Sequence, residues 1–290
     1  MNRQNILITG ANGQLGNCLR DLAEDFQDKY NYYYTDVAEL DITDAAAIDK
    51  YIIDNQIDII INAAAYTAVD KAEDDEENAY RINCTAVGNL AKVAKTHGLT
   101  LVHISTDYVF SGELATPHVE TETPAPKSVY GSTKLAGERA IVGSGCRAVV
   151  IRTSWLYSEY GNNFVKTMLR LGREKESIQV VCDQIGGPTY AGDLAKAVFL
   201  MLEHLPTTGT DFYHFANEGV CSWFDFAKAI MEMAGLSCRV EAISTSEYPA
   251  KAHRPAFSVF NLSKTKATTN TSIPYWRESL HLTINKLRQK

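Results

Sequence analysis

The chain has 290 residues, 45% of them hydrophobic and 22% charged, with 28 Lys+Arg against 35 Asp+Glu and a net charge of −7. That length can bury a large core, as one composite domain or two closely joined lobes. The acidic balance excludes a binder of the nucleic-acid backbone, which needs a basic face, and no apolar run approaches the roughly 20 residues of a membrane span.

The six cysteines, Cys18, Cys84, Cys146, Cys182, Cys221 and Cys238, form no C-x-x-C and match neither a zinc nor a disulfide pattern. The opening MNRQNILITG has too short an apolar run for a signal peptide. A reducing cytoplasm is the expected location.

In chain order, residues 5–9 read as a short buried strand that leads into Gly10-Ala-Asn-Gly13-Gln14-Leu15-Gly16 and an amphipathic run to Leu22. Strand, glycine turn and helix form the context in which a backbone approaches a pyrophosphate and a helix N-terminus attracts it. Residues 32–35 form the next strand and end at Asp36, twenty residues beyond Gly16, where a carboxylate accepts from adenosine ribose hydroxyls. An acid at that place favours NADH, because it repels a 2′-phosphate. The tyrosines at 30 and 32–34 read as packing or surface.

Thr43 or Asp44 caps a helix over 45–54, and residues 58–62 form a third buried strand followed by Ala63, Ala64 and Ala65. Small residues at that end let a flat ring come close. The acidic run 73–77 reads as a solvated helix face, and a long helical pattern follows from Asn83 to His97. Residues 99–104 form a fourth strand and deliver Ser105, Thr106 and Asp107 to the same edge, either as turn caps or as groups that hold a carbonyl.

After a Pro-rich loop over 117–126, Tyr130-Gly-Ser-Thr-Lys134 opens a helix over 130–142. The four-residue spacing puts Tyr130 and Lys134 on one face, roughly 5–6 Å apart at Cβ. An ammonium beside a phenol lowers the phenol pKa, so the pair suits proton transfer to or from a carbonyl oxygen. Residues 148–152 make a fifth strand, and five strands alternating with helices imply a Rossmann-type doubly wound parallel sheet.

The dinucleotide-binding domain is expected over 1–153, with 184–215 returning to it, and a smaller mixed α/β substrate-binding lobe over 154–290. In that second part, Trp155 follows a strand end and suits stacking on a ring or packing in the core. Asn163 lies at the start of a helix running to Leu171, whose open N–H groups suit a phosphate. Strands are expected at 178–182 and 211–215, and helices at 191–203 and 222–234. Arg254 suits either a diphosphate or the bare surface.

Taken together, ITGANGQLG, NAAAYTAVDKAE, HISTDYVFSG, VYGSTKLAGE, RTSWLY, GNNFV, DQIGGPTYAGDLA and the late RP resemble the extended short-chain dehydrogenase/reductase family over essentially the whole chain. Within it they resemble the branch that reduces the C4 ketone of dTDP-linked dehydro-sugars with NADPH or NADH. The resemblance implies that Gly13, Gln14 and Leu15 contact the coenzyme, with Asp36 at the adenosine end and Asp41, Ile42, Ala65, Tyr66 and Thr67 lining the rest of its site. It implies that Thr106 and Asp107 hold the sugar, that Trp155 packs on it, and that Asn163 and Arg254 serve the diphosphate. Tyr130 becomes the proton donor, and Lys134 binds the nicotinamide ribose while lowering the tyrosine pKa.

Some family members hold Mg²⁺ at a dimer interface through acidic side chains, one just after the glycine motif. Cys18 stands at that position here, a soft thiol and a poor Mg²⁺ ligand, although Asp193 matches another ligand. No metal is therefore expected, and a homodimer is left open. The same groups also serve epimerases and reductases of other nucleotide-linked keto-sugars, and a similar fold serves the NADP-binding regulatory β subunit of methionine adenosyltransferase.

Overall fold

A computed structural model describes residues 3–289. Its centre is a six-stranded parallel sheet. In chain order the strands are β1 (Gln4–Thr9), β2 (Tyr30–Thr35), β3 (Ile59–Asn62), β4 (Thr100–Thr106), β5 (Arg147–Thr153) and an edge strand, Thr210–Phe215. Across the sheet, β2 lies outermost, followed by β1, β3, β4, β5 and the edge strand. All five pairings are parallel, so each strand ends at the same edge. The chain reverses its direction of winding between β1 and β3, and ligands of open parallel sheets bind at that switch point.

Strand periodicity builds the two cores. Ile6, Ile8, Ile59, Ile61, Val102, Val149 and Ile151 face the helices Gln14–Leu22 and Ala191–Met201. Their neighbours Leu7, Ile60, Leu101, Ala148 and Val150 face the helices Ala45–Asn55, Ala86–His97 and Val129–Ser144. Burial on both faces explains why these strands read as unbroken apolar runs. Each such side chain contributes about 1.5–3 kcal/mol on leaving water.

A third core joins the helices Phe164–Glu174, Trp223–Ala234 and Trp276–Gln289 around Tyr157, Phe226 and Trp276. A two-stranded parallel sheet, Ser177–Val181 with Arg239–Ile243, flanks it.

The helix expected from Asn83 starts earlier in the chain, whereas the one expected from residue 45 starts there. The helical run before His97 begins at Glu76 and passes through a π-turn at Arg81–Thr85 before it becomes α-helical at Ala86. Asp44 alone caps the Ala45–Asn55 helix, its Oδ1 accepting from Ala46 N (2.9 Å) and Ala47 N (3.0 Å). Among the described residues no helix is long and apolar enough to cross a membrane.

Candidate active site

A cavity of about 810 Å³ opens along the carboxyl ends of the strands. On one side it is lined by Gly10, Gly13, Gln14, Leu15, Asp36, Asp41, Ile42, Ala65 and Thr67. Gly10 sits at φ +66°, and a Cβ there would lie 2.6 Å from Ala64 N. A Cβ on Gly16 would lie 2.5 Å from Gly10 O and from Ala11 Cα, so this glycine packs the turn tightly and does not line the cavity.

The helix that follows is capped by Gly13, with no side chain on its first-turn N–H groups. An uncapped helix N-terminus behind a glycine cradle fits a dinucleotide pyrophosphate. Asp36 ties the glycine turn to its own loop, with Oδ2 accepting from Asn12 N (3.0 Å) and Oδ1 from Val37 N (2.9 Å). Gln14 reaches the other way, its Oε1 accepting from Asn163 Nδ2 (2.9 Å) and Ser158 Oγ (3.2 Å).

The other side of the cavity is lined by Thr106, Asp107, Tyr130, Lys134 and Trp155. β4 delivers the first two, and the Val129–Ser144 helix, capped by Ser128, delivers Tyr130 and Lys134 from its first turns. Gly131 allows that helix to come close, because a Cβ there would lie 2.2 Å from Tyr108 O.

The expected acidification of the phenol by Lys134 is corrected here. Burial pushes the Tyr130 pKa up to about 12; a hydrogen bond with Thr106 pulls it down and Asp107 adds to the rise. Lys134 Nζ donates to Ile104 O (2.7 Å), and burial lowers its own pKa to about 8. A neutral phenol is the form that a proton donor requires.

Asp107 is 3% exposed; its Oδ1 accepts from the Thr106 hydroxyl (3.0 Å), while no donor meets Oδ2. Burial raises its pKa to about 6, against the opposing pull of Ser258 and Thr106. The folded value lies above the ordinary 3.8, so the stability cost is absent below about pH 4 and complete above about pH 6. The stability difference between Asp107→Asn and wild type is therefore expected to move in the variant's favour by on the order of 2–3 kcal/mol between pH 4 and pH 7.5. Urea unfolding at the two pH values checks this.

Trp155 is held at φ +49°, a strained region for a bulky residue. Its ring stacks on Trp223 at 3.6 Å and lies over Gly186, where a Cβ would be 2.6 Å from the indole.

Besides Gly16, three expected site residues lie apart from the cavity. Tyr66 donates its hydroxyl to Asp75 Oδ2 (3.0 Å), although its neighbours Ala65 and Thr67 line the cavity. Asn163 does not leave its helix N-terminus open: its Oδ1 accepts from Lys166 N (3.1 Å), so the expected phosphate seat is already capped. Arg254 forms a two-armed pair with Asp70, NH1 to Oδ1 at 3.1 Å and NH2 to Oδ2 at 2.5 Å, so its guanidinium is not left on the bare surface.

Sequence reasoning missed Asn83, whose Oδ1 accepts from Tyr66 N (2.8 Å) and whose Nδ2 donates to Tyr66 O (3.0 Å), clamping the 65–67 turn. It also missed Trp223 and His103. The π-turn that aims Asn83 leaves no mark in the hydrophobic pattern. Among the described residues no group of three or more His, Cys, Asp or Glu side chains is placed to hold a metal, and Asp193 Oδ2 accepts from Asn217 Nδ2 and Ser279 Oγ.

A parallel sheet that brings two hydroxyls and a buried amine to the lip of a glycine-edged crevice marks the Rossmann-type oxidoreductases, the class to which this fold and site belong. More narrowly, residues 4–289 match the family described as the RmlD substrate binding domain, and the chain belongs to that family. It is 41% identical over 284 residues to the dTDP-4-dehydrorhamnose reductase of Aggregatibacter actinomycetemcomitans, covering 95% of this chain and 96% of that one. It is 40% identical over 278 residues to the spore coat polysaccharide biosynthesis protein SpsK of Bacillus subtilis, covering 95% of each. The crystal structure of dTDP-4-dehydrorhamnose reductase from Bacillus anthracis in complex with NADP superimposes with a TM-score of 0.93 at 40% identity, covering 98% of this chain and all of that one.

Proposed function

We infer that this protein is an NADPH- or NADH-dependent dTDP-4-dehydrorhamnose reductase, which reduces the C4 ketone of dTDP-4-dehydro-β-L-rhamnose to give dTDP-L-rhamnose. The observation that carries the reading is the meeting of Thr106, Tyr130 and Lys134 on one side of a cavity whose other side is the glycine cradle.

When bound, the dinucleotide supplies the hydride; the chain supplies orientation and the proton. Gly10, Gly13 and the open helix end seat the pyrophosphate, with Gln14, Leu15, Asp36, Asp41, Ile42, Ala65 and Thr67 along the rest of the coenzyme. The neutral Tyr130 phenol donates its proton to the oxygen that develops at C4. Thr106 hydrogen-bonds that phenol and orients it, and Asp107, beside it on the cavity wall, serves the sugar. Trp155, braced by Trp223, closes the sugar end. Lys134 lies below Tyr130 with its reach fixed by Ile104 O, and serves the ribose next to the nicotinamide.

The six-stranded sheet with its helices forms the coenzyme lobe and the remaining C-terminal elements the substrate lobe. The cytoplasm, where nucleotide-linked sugars and reduced coenzymes coexist, is the location we propose. The assembly we propose is a homodimer without a bridging metal, to be checked by light scattering.

Oxidation of NADPH and NADH with dTDP-4-dehydrorhamnose as acceptor, followed by stereochemical assignment of the product, tests the reading. Faster turnover of a different nucleotide-linked keto-sugar would replace the substrate while leaving the chemistry in place.

A further inference from the structure

Beneath the crevice a buried polar chain leads to Lys134, and its other members have no part in the mechanism above. Thr9, Asn62, His103 and Lys134 come from β1, β3, β4 and the Val129–Ser144 helix, and none is more than 2% exposed. Asn62 Oδ1 accepts from Ala64 N (3.1 Å) and Thr9 Oγ1 (2.7 Å). A backbone N–H can only donate, so the amide oxygen must face it, and Asn62 Nδ2 must face His103 Nδ1 at 3.0 Å. An amide nitrogen also only donates, so Nδ1 carries the lone pair. The single proton of the neutral imidazole is left on Nε2, 3.3 Å from Lys134 Nζ.

An ammonium there sets N–H against N–H. An amine accepts the imidazole proton while still donating to Ile104 O at 2.7 Å. We propose that His103 is a positioning residue whose tautomer is locked by Asn62, so that its Nε2–H fixes the Lys134 amine and favours its uncharged form. The proposal rests on the reading that Lys134 works beside Tyr130.

The titratable and charged groups around the pair are few. Glu138, one turn further along the same helix, favours the charged lysine, but its carboxylate is engaged by Arg152 of β5 and Ser105 of β4. Tyr130 shares the helix, and Asp107 acts on Tyr130 from the end of β4. Burial keeps His103 neutral, and Lys134 opposes a second charge beside it whenever it holds its own proton. Burial already lowers the Lys134 pKa to about 8, below an ordinary amine.

Nitrogen-15 histidine spectra of the ligand-free wild-type protein read the tautomer directly. The Nε2–H form is expected, and a dominant Nδ1–H form overturns the proposal without any substitution. A second measurement follows the ligand-free protein labelled with carbon-13 at lysine Cε, with Lys134 assigned by loss of its signal in Lys134→Met. In His103→Gln a carbonyl oxygen can accept from the ammonium, so Lys134 is expected to hold its proton about tenfold more tightly, a rise of about one pH unit. Asn62→Ser, which releases the tautomer lock, is expected to shift it the same way by less. An unmoved midpoint in His103→Gln reduces His103 to packing. Neither spectrum needs turnover, so failure of the reductase assay would leave this result standing, and the reverse holds as well.

Discussion

Tyr130→Phe is expected to lower turnover by about 10²–10⁴-fold, or roughly 3–5 kcal/mol of transition-state stabilisation, with coenzyme affinity little changed. The phenol is 9% exposed, stands edge-on to Tyr108 with ring centroids 5.4 Å apart, and is kept protonated by burial. Phe preserves that packing and removes only the transferable proton and the bond to Thr106. The glycine cradle and the Gln14 end of the site stay as they are, which is why binding and chemistry should separate. Stopped-flow coenzyme oxidation beside fluorescence titration of the coenzyme makes the comparison. Turnover near that of wild type would remove Tyr130 from the reaction.

Glu138→Ala is expected to destabilise the fold by about 3–5 kcal/mol, because it strands a buried guanidinium. Glu138 is 1% exposed and Arg152 3%. The carboxylate accepts from Arg152 Nε (3.0 Å) and NH2 (2.7 Å) and from Ser105 Oγ, while the guanidinium lies over the rings of Phe110 and Phe212 at 4.9 Å each. Arg152 NH1 already lacks a partner, so no spare contact takes up the loss. Glu138→Gln keeps an acceptor and should lose markedly less. Guanidinium-chloride unfolding of the two variants checks both the size and the order.

The stretches legible in the sequence are those governed by near neighbours. Gly10 to Gly16 is set by local sterics, and the apolar runs at 6–8 and 59–61 announce strands buried on both faces. The spacing of Tyr130 and Lys134 is fixed by helix geometry, and the structure does place both on the cavity. The direction of the Tyr130 pKa was not legible. Spacing brings an ammonium close, but only burial depth says which charge survives, and here desolvation outweighs every neighbouring group.

Arg254 shows the same limit at longer range. Its sequence neighbourhood says nothing of Asp70, 184 positions earlier, yet that carboxylate holds both arms of its guanidinium. Asn83 was hidden for a smaller reason: one extra residue in a helical turn rotates a side chain without disturbing the apolar pattern that marks the helix.

Sequence alone determined the class of fold, the glycine cradle and the shared helix face of Tyr130 and Lys134, because periodicity and backbone sterics act over a few residues. Only the tertiary structure decided which groups are charged, which expected ligands are already engaged, and that His103 and Asn62 stand behind Lys134. Those outcomes depend on desolvation and on hydrogen bonds between strands distant in the chain, and both exist only once the sheet has assembled.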